Sequence, residues 1–411
     1  MHRTLCMAWV ACLAFGLALS PRGAFAGYAA SEIPEAEQDS EAIDVDDLGR
    51  VLILMPNYFC GFSTTVLLPP IEGGQELSLE CAECFHVGTR ARGLGRDGSI
   101  PGESIRFASG ECPGVGDAAI WDAQGKDLPL STIGAVGSVA VDANRSGQIV
   151  GGGNNPLPDS NLIDAFAVVW LSGPSPFVRL PADAGQAAGA ARINESGVII
   201  GNEQSYADLE RTRAVIWTPG PDGYSFAHLG ELGGGATSDA LALDDGGRVV
   251  GASADAAGSD VAVLWRPGPS GYTVERLPVP FQDGWCSQAT AINQHGQIAG
   301  ICSSVEQPPI GVLWQMNGES VNFVDFFDPL PGTSTSAVIA MNDAGLAVGS
   351  SGESPSLSTY WRIGVFAATP APRCGARVPL HRGSSAAGFP AVSPDPGECS
   401  PLVRLPAPSG H

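Results

Sequence analysis

A glycine in a turn-like context returns seven times along this chain, at Gly49, Gly98, Gly147, Gly197, Gly247, Gly296 and Gly345, in steps of 49 or 50 residues. Self-similarity at that period marks an architecture assembled by repeating one supersecondary unit. Three residues before each glycine stands Asp46, Gly95, Asn144, Asn194, Asp244, Asn293 or Asn342. In Asn194-Glu195-Ser196-Gly197 the asparagine side chain can cap a type I turn. The glycine can then take positive φ and return the chain as an antiparallel arm.

The arm entering each turn is patterned as well. Four residues before the Asx-type position stand Ala42, Ala91, Ala140, Ala190, Ala240, Ala289 and Val338, and one residue before it stand Val45, Leu94, Ala143, Ile193, Leu243, Ile292 and Met341. This predicts a small residue on one sheet face and a larger apolar residue on the other, both buried. The returning arm is short and ends in Gly151, Gly201, Gly251, Gly300 or Gly349, while the first two copies depart from the pattern through Ile53 and Pro101-Gly102. A third element carries Trp121, Trp170, Trp217, Trp265, Trp314 and Trp361, with Leu68 expected in that place in the opening copy. A fourth strand fits residues 176–180, 223–229, 271–277 and 320–326.

Four short strands and their connections suit a period near 49 residues, and 54 Gly with 33 Pro leave little room for long helices. A four-stranded sheet with two apolar faces cannot stand alone in water. Seven of them arranged radially cover one another, and closing the ring leaves only short protected edges. The expected fold is therefore all-β, a seven-bladed β-propeller spanning residues 41–370. Closure is expected to use either the leader before Glu41 or a strand after Arg362.

The run Ala289-Thr290-Ala291-Ile292-Asn293-Gln294-His295-Gly296-Gln297-Ile298-Ala299-Gly300, followed by Val312-Leu313-Trp314, resembles the bacterial extracellular repeat proteins of the HAF repeat family. The resemblance covers residues 41 to about 365 and is strongest from Ser138 onward. It implies an exported protein and brings no catalytic set onto these positions.

Residues 1–26 read as a secretory signal: His2 and Arg3 precede an apolar run from Leu5 to Leu19, and Ala24-Phe25-Ala26 offers a cleavage site. Residues 27–40 form an acidic leader expected to be exposed, and residues 371–411 a Pro-rich tail. The implied location is secreted or periplasmic, with association to the cell surface in view. Ten cysteines less Cys6 and Cys12 leave an even set for an oxidising compartment. Cys286 and Cys302 flank the Asn293–Gly296 turn symmetrically, so the two arms should bring them together as a disulfide. Cys84 and Cys112 are symmetric about Gly98, and Cys60 with Cys81 and Cys374 with Cys399 follow by pairing what remains.

A formal charge of -22 argues against nonspecific nucleic-acid binding, and no run after the signal is long enough for stable membrane insertion; a monomer is expected. Asp46, Asp47, Asp142, Asp244 and Asp245 crowd some turns, but no calcium-loop pattern contains them. His86, His228, His295 and His381 show no zinc spacing, and His295 falls at an exposed turn position. The sequence thus names no catalytic, cofactor-binding or metal residue. It points to a non-catalytic repeat scaffold for an extracellular or cell-envelope protein or glycan. The alternative is a propeller hydrolase or lyase for extracellular polysaccharide, which requires two carboxylates at one channel mouth. Non-reducing peptide mapping is expected to recover Cys286 linked to Cys302; a free thiol at either position would contradict the hairpin register.

Overall fold

A computed structural model describes residues 28–363 apart from 34–35, 37–38, 58–60, 70–74, 78, 80–86, 107–114, 129, 132, 157–162, 172–176, 234, 283 and 354–355. The signal segment, the Pro-rich tail, His86, His381 and the pairs Cys60–Cys81, Cys84–Cys112 and Cys374–Cys399 lie outside the described residues. The described strands form seven four-stranded antiparallel sheets, the blades of a β-propeller. The first strands, among them Glu41–Val45, Gly137–Ala143, Gln186–Ile193 and Ser336–Met341, surround a common axis, and the outer strands include Gly223–His228 and Ser320–Phe327.

All seven turn glycines adopt positive φ, from 71° to 87°, a region that costs a side chain dearly. The Asx caps form as the sequence requires. Asn194 Oδ1 accepts from the amides of Ser196 (3.1 Å) and Val198 (2.9 Å), and Asn144 and Asn293 do the same in their blades. His295 is exposed in its turn.

The expectation of small and large residues on opposite faces is not met. In six blades the ladder shifts register between the small residue and the second residue after it, as at Ala190/Arg192, a β-bulge that inserts one unpaired residue. Ala190 then lies opposite Gly201 and Ile193 opposite Ile199, two residues apart on the partner strand, so both side chains share one face. With Trp217 they pack onto Val150, Ala167 and Val169 of the preceding blade. The arrangement recurs at Ala240, Leu243 and Trp265 against Ile200, Ala214 and Ile216, and at Ala289, Ile292 and Trp314 against Val250, Ala262 and Leu264.

Close backbone approach explains the glycine of the returning arm. A Cβ on Gly251 would sit 1.9 Å from the Asp239 carbonyl oxygen, and one on Gly300 2.3 Å from that of Gln288 and 2.8 Å from the Trp314 ring. The tryptophans do more than fill space. The indole Nε1 of Trp170, Trp217, Trp265, Trp314 and Trp361 donates to Ser131, Pro181, Gly230, Pro278 and Asp328 respectively, at 2.7–2.9 Å. Each acceptor lies on the segment entering that blade, so the ring latches the blade to its own connection. In the opening blade the place belongs to Leu67, which pairs with Val51 as Trp217 pairs with Ile199 and is 1 % exposed. The expected residue was Leu68; the loop before the third strand differs in length among copies, so counting from the glycine misplaces it by one.

The ring is closed by the chain's beginning rather than by residues after Arg362. Ser31–Glu32 forms the fourth strand of the last blade, with Ser31 opposite Tyr360 and Glu32 opposite Thr359. The Tyr28 amide donates to the Phe326 carbonyl at 2.8 Å, and Ile33 is fully buried among Ala42, Val51, Val348 and Tyr360, where the last and first blades meet. The acidic leader is therefore partly built into the fold, not exposed throughout. Cys286 and Cys302 pair across the sixth hairpin and are bonded to each other.

Ile33→Ala is expected to cost about 2–5 kcal/mol, the usual range for truncating a buried isoleucine. Urea denaturation followed by tryptophan fluorescence would measure it, and a loss below about 0.5 kcal/mol would show that the first and last blades hold together without this residue.

Candidate functional site

The residue after each bulge is turned toward the axis, where Asp44, Asp142, Arg192, Ala242, Ala291 and Ala340 line a cavity of about 110 Å³. The second blade places Gly93 there, and a Cβ would stand 2.3 Å from the Val141 carbonyl oxygen. Charge is thus gathered on the first, third and fourth blades while the fifth to seventh present methyl groups.

The two axial carboxylates are tied down by backbone amides. Asp44 accepts from Val45 through Oδ1 and from Leu94 of the next blade through Oδ2, both at 2.9 Å. Asp142 accepts from Ala143 at 2.8 Å and from Ile193 of the next blade at 2.9 Å in the same way. Each side chain spans one blade junction, using every carboxylate oxygen. Burial pushes the pKa of Asp142 up to about 6, with the Arg192 charge opposing it, and burial raises Asp44 for the same reason.

A second tier encircles the mouth. The residue following the Asx position is Asp47, Arg96, Arg145, Glu195, Asp245, Gln294 or Asp343. Around the ring its backbone amide donates to the corresponding side chain of the next blade: Arg145 to Glu195, Glu195 to Asp245, Asp245 to Gln294, Gln294 to Asp343, and Asp343 to Asp47. Arg96 reaches across to Asp245 (2.8 Å) and approaches Glu195 (3.9 Å), and Arg145 bridges Asp47 (3.0 Å) and Glu195 (3.3 Å). Burial works against the charge on Arg96, but Asp245, Asp142, Asp343 and Glu195 outweigh it and raise its pKa.

Beneath this tier the capping residues form a third set of links. Asn144 Nδ2 donates to the Asn194 carbonyl, Asn194 to Asp244, Asn293 to Asn342, and Asn342 to Asp46, at 2.8–3.3 Å. Where the cap is an aspartate it pairs with an arginine four residues on, Asp46 with Arg50 and Asp244 with Arg248, and Arg50 then donates to the Gly98 carbonyl of the next blade (2.9 Å). The five turn aspartates singled out in the sequence thus meet around the axis, but as partners of amides and arginines. Asp142 is separated from the turn tier by its place inside the shaft. Arg96, Arg145, Glu195 and Asp343 carried no expectation; the signal for them was the polar residue following every Asx position.

The arrangement is an axial shaft whose charged groups cross-link blades, with each oxygen of Asp44 and Asp142 accepting from a backbone amide. The described residues contain no helix long and apolar enough to cross a membrane.

Comparison with solved structures finds the same fold in enzymes. The structure of two prolyl endopeptidases analysed for inter-domain dynamics superposes with a TM-score of 0.52 at 12 % identity, over 74 % of this chain and 45 % of that one. Apo prolyl oligopeptidase B from Galerina marginata gives 0.51 at 9 % identity, over 82 % of this chain and 50 % of that one. This chain spans about half the length of those solved chains. Neither the protein-family models nor the curated proteins give a match. The likeness is one of fold: the chain is a seven-bladed β-propeller.

A raised pKa in the folded state means that the native protein holds the Asp142 proton more tightly than the unfolded chain. The stability this confers is full below the ordinary aspartate value of 3.8 and drains away as pH rises toward about 6. Asp142→Asn abolishes that ionisation. The melting temperature of the variant relative to wild type is therefore expected to climb between pH 4 and pH 7, and a difference independent of pH would contradict the assignment.

Proposed function

We propose that this chain is an exported, non-catalytic propeller of the HAF repeat type, secreted or periplasmic, which presents its loops to an extracellular or cell-envelope protein or glycan. The observation that carries the reading is the use of the axial groups. Asp44 and Asp142 are the carboxylates that line the axial cavity together, and each places its oxygens on backbone amides of its own and the next blade. A general acid or nucleophile must offer an oxygen to the substrate. Here both carboxylates are fixed as acceptors at blade junctions, and turning either one toward a substrate would break bonds that join adjacent blades.

Export is supported by the basic start, apolar run and Ala24-Phe25-Ala26 site, and the buried Cys286–Cys302 bond suits an oxidising compartment. Membership of the HAF type rests on the Ala-Asx-Gly-Trp repeat itself. A net charge of -22 directs the search away from nucleic acid and anionic lipid. The protein is taken to act as a monomer, since ring closure already pairs the chain's own first strand with its last blade.

The test is to present the labelled protein to arrays of extracellular glycans and to cell-envelope fractions, and to assay the same polysaccharides for cleavage. Saturable binding without turnover, unchanged in Asp142→Asn, is the expected result. Reproducible cleavage abolished by Asp142→Asn would overturn the reading in favour of the enzyme.

A further inference from the structure

The fourth blade breaks the repeat at three positions that converge in space. Two residues beyond the glycine that faces the inner strand, the second strand carries Met55, Ser104, Gly153, Ser253, Cys302 or Ser351 in the other blades, and Glu203 in this one. Two residues beyond the carbonyl that receives the tryptophan indole stand Ile133, Leu232, Pro280 and Leu330, and here Asp183. Where the outer strand elsewhere has Glu32, Arg179, Arg276 or Phe326, it has His228. Among the described residues, only the fourth blade brings together at these positions three side chains of the types that ligate metals.

The ordinary duty of the Glu203 position is visible in its counterparts. Ser253 Oγ accepts from the Leu232 amide at 2.9 Å and Ser351 Oγ from the Leu330 amide at 3.2 Å; Glu203 Oε1 accepts from the Asp183 amide at 2.7 Å. A serine therefore suffices for the fold, and the glutamate adds a second, negatively charged oxygen at a site where the residue is 1 % exposed. Among the described residues no arginine is paired with it. Arg213, opposite Glu203 in the ladder, turns instead to Glu231 at 3.6 Å, and the side chain that meets the second oxygen of Glu203 is the His228 ring.

The second oxygen points at a shared focus. His228 Nε2 lies 3.1 Å from Glu203 Oε2 and 3.5 Å from Asp183 Oδ2, and the three donor atoms all fall within 4.8 Å of one another. Donors held at about 2.0–2.2 Å from a tetrahedral zinc ion stand roughly 3.4 Å apart, and the two separations from His228 Nε2 match that spacing. One Nε2–H can serve only one carboxylate, whereas a divalent cation would bond all three atoms and neutralise both acids. Glu203 forms the buried base of the group, while Asp183 and His228 keep half and a third of their side chains exposed, which gives a path for entry and for water at the remaining positions.

The geometry points to a divalent transition-metal site, of the zinc class, formed by Asp183, Glu203 and His228 on the outer part of the fourth blade. It lies apart from the axial tiers and stands independently of the role proposed above. The site joins the outer strand, the second strand and the segment entering the blade, so the ion would fasten the blade's outer edge.

Isothermal titration of the chelator-treated protein with Zn²⁺ tests this, alongside His228→Ala and Glu203→Ser. The serine variant installs the residue that three other blades carry, two of which use it to accept the equivalent amide, so the Asp183 amide keeps an acceptor. One equivalent of Zn²⁺ bound by wild type, weakened at least tenfold in each variant while circular dichroism shows the β fold intact, is the expected result. Absence of saturable binding in wild type, or affinity unchanged in folded Glu203→Ser, would overturn the site.

Discussion

Each blade of this protein has two apolar faces, and only a neighbour on either side can keep both from water. The rest of the fold follows from that requirement. The buried clusters lie at the junctions between blades, each made of residues from two adjacent sheets, as where Val338, Met341 and Trp361 meet Ala291, Ala299 and Leu313. Such an architecture has no stable fragment smaller than the ring, because the first and last blades would each expose a face. That is why Ser31–Glu32 matters out of proportion to its length. Pairing the start of the chain with the final sheet joins the two ends of the series, and Ile33 seals the junction.

Packing alone sets the blades side by side; the polar tiers at the axis set their angle. Crossing from one blade to the next near the axis are a carboxylate or guanidinium at the mouth, a cap amide below it, and in two blades an aspartate inside the shaft. These bonds sit at the narrow end of the wedge, where small errors in angle are largest at the rim. They also explain why a strongly acidic protein accepts arginines there: Arg96 and Arg145 are held among carboxylates that would otherwise repel one another.

Much of this could be read from the sequence, and what could not has a common cause. The number of blades, the Asx caps, the buried alanines and tryptophans, and the Cys286–Cys302 bond all recur or pair at fixed places within one repeat, so spacing reveals them. The bulge was hidden because counting along a strand assumes regular alternation, and a single unpaired residue moved Ile193 to the face occupied by Ala190. Leu67 was missed by one place because loop lengths differ among copies. The closing strand, the Arg96–Asp245 bridge and the convergence of Asp183, Glu203 and His228 join residues whose relation no local pattern encodes. Comparing the repeats with one another would still have flagged Glu203, the one carboxylate at its position.

Backbone hydrogen exchange resolved to single amides tests the central claim that the chain is one closed ring fastened at its beginning. The Ile33 amide donates to the Ser358 carbonyl at 3.0 Å, and the inner hairpins lie far along the chain from it. If closure is integral to the ring, Ile33 exchanges by the same cooperative opening as Val215 and Val263 in the middle blades, with a similar free energy and denaturant dependence. Exchange of Ile33 and the last blade several kcal/mol more easily than the middle blades, with little denaturant dependence, would contradict it.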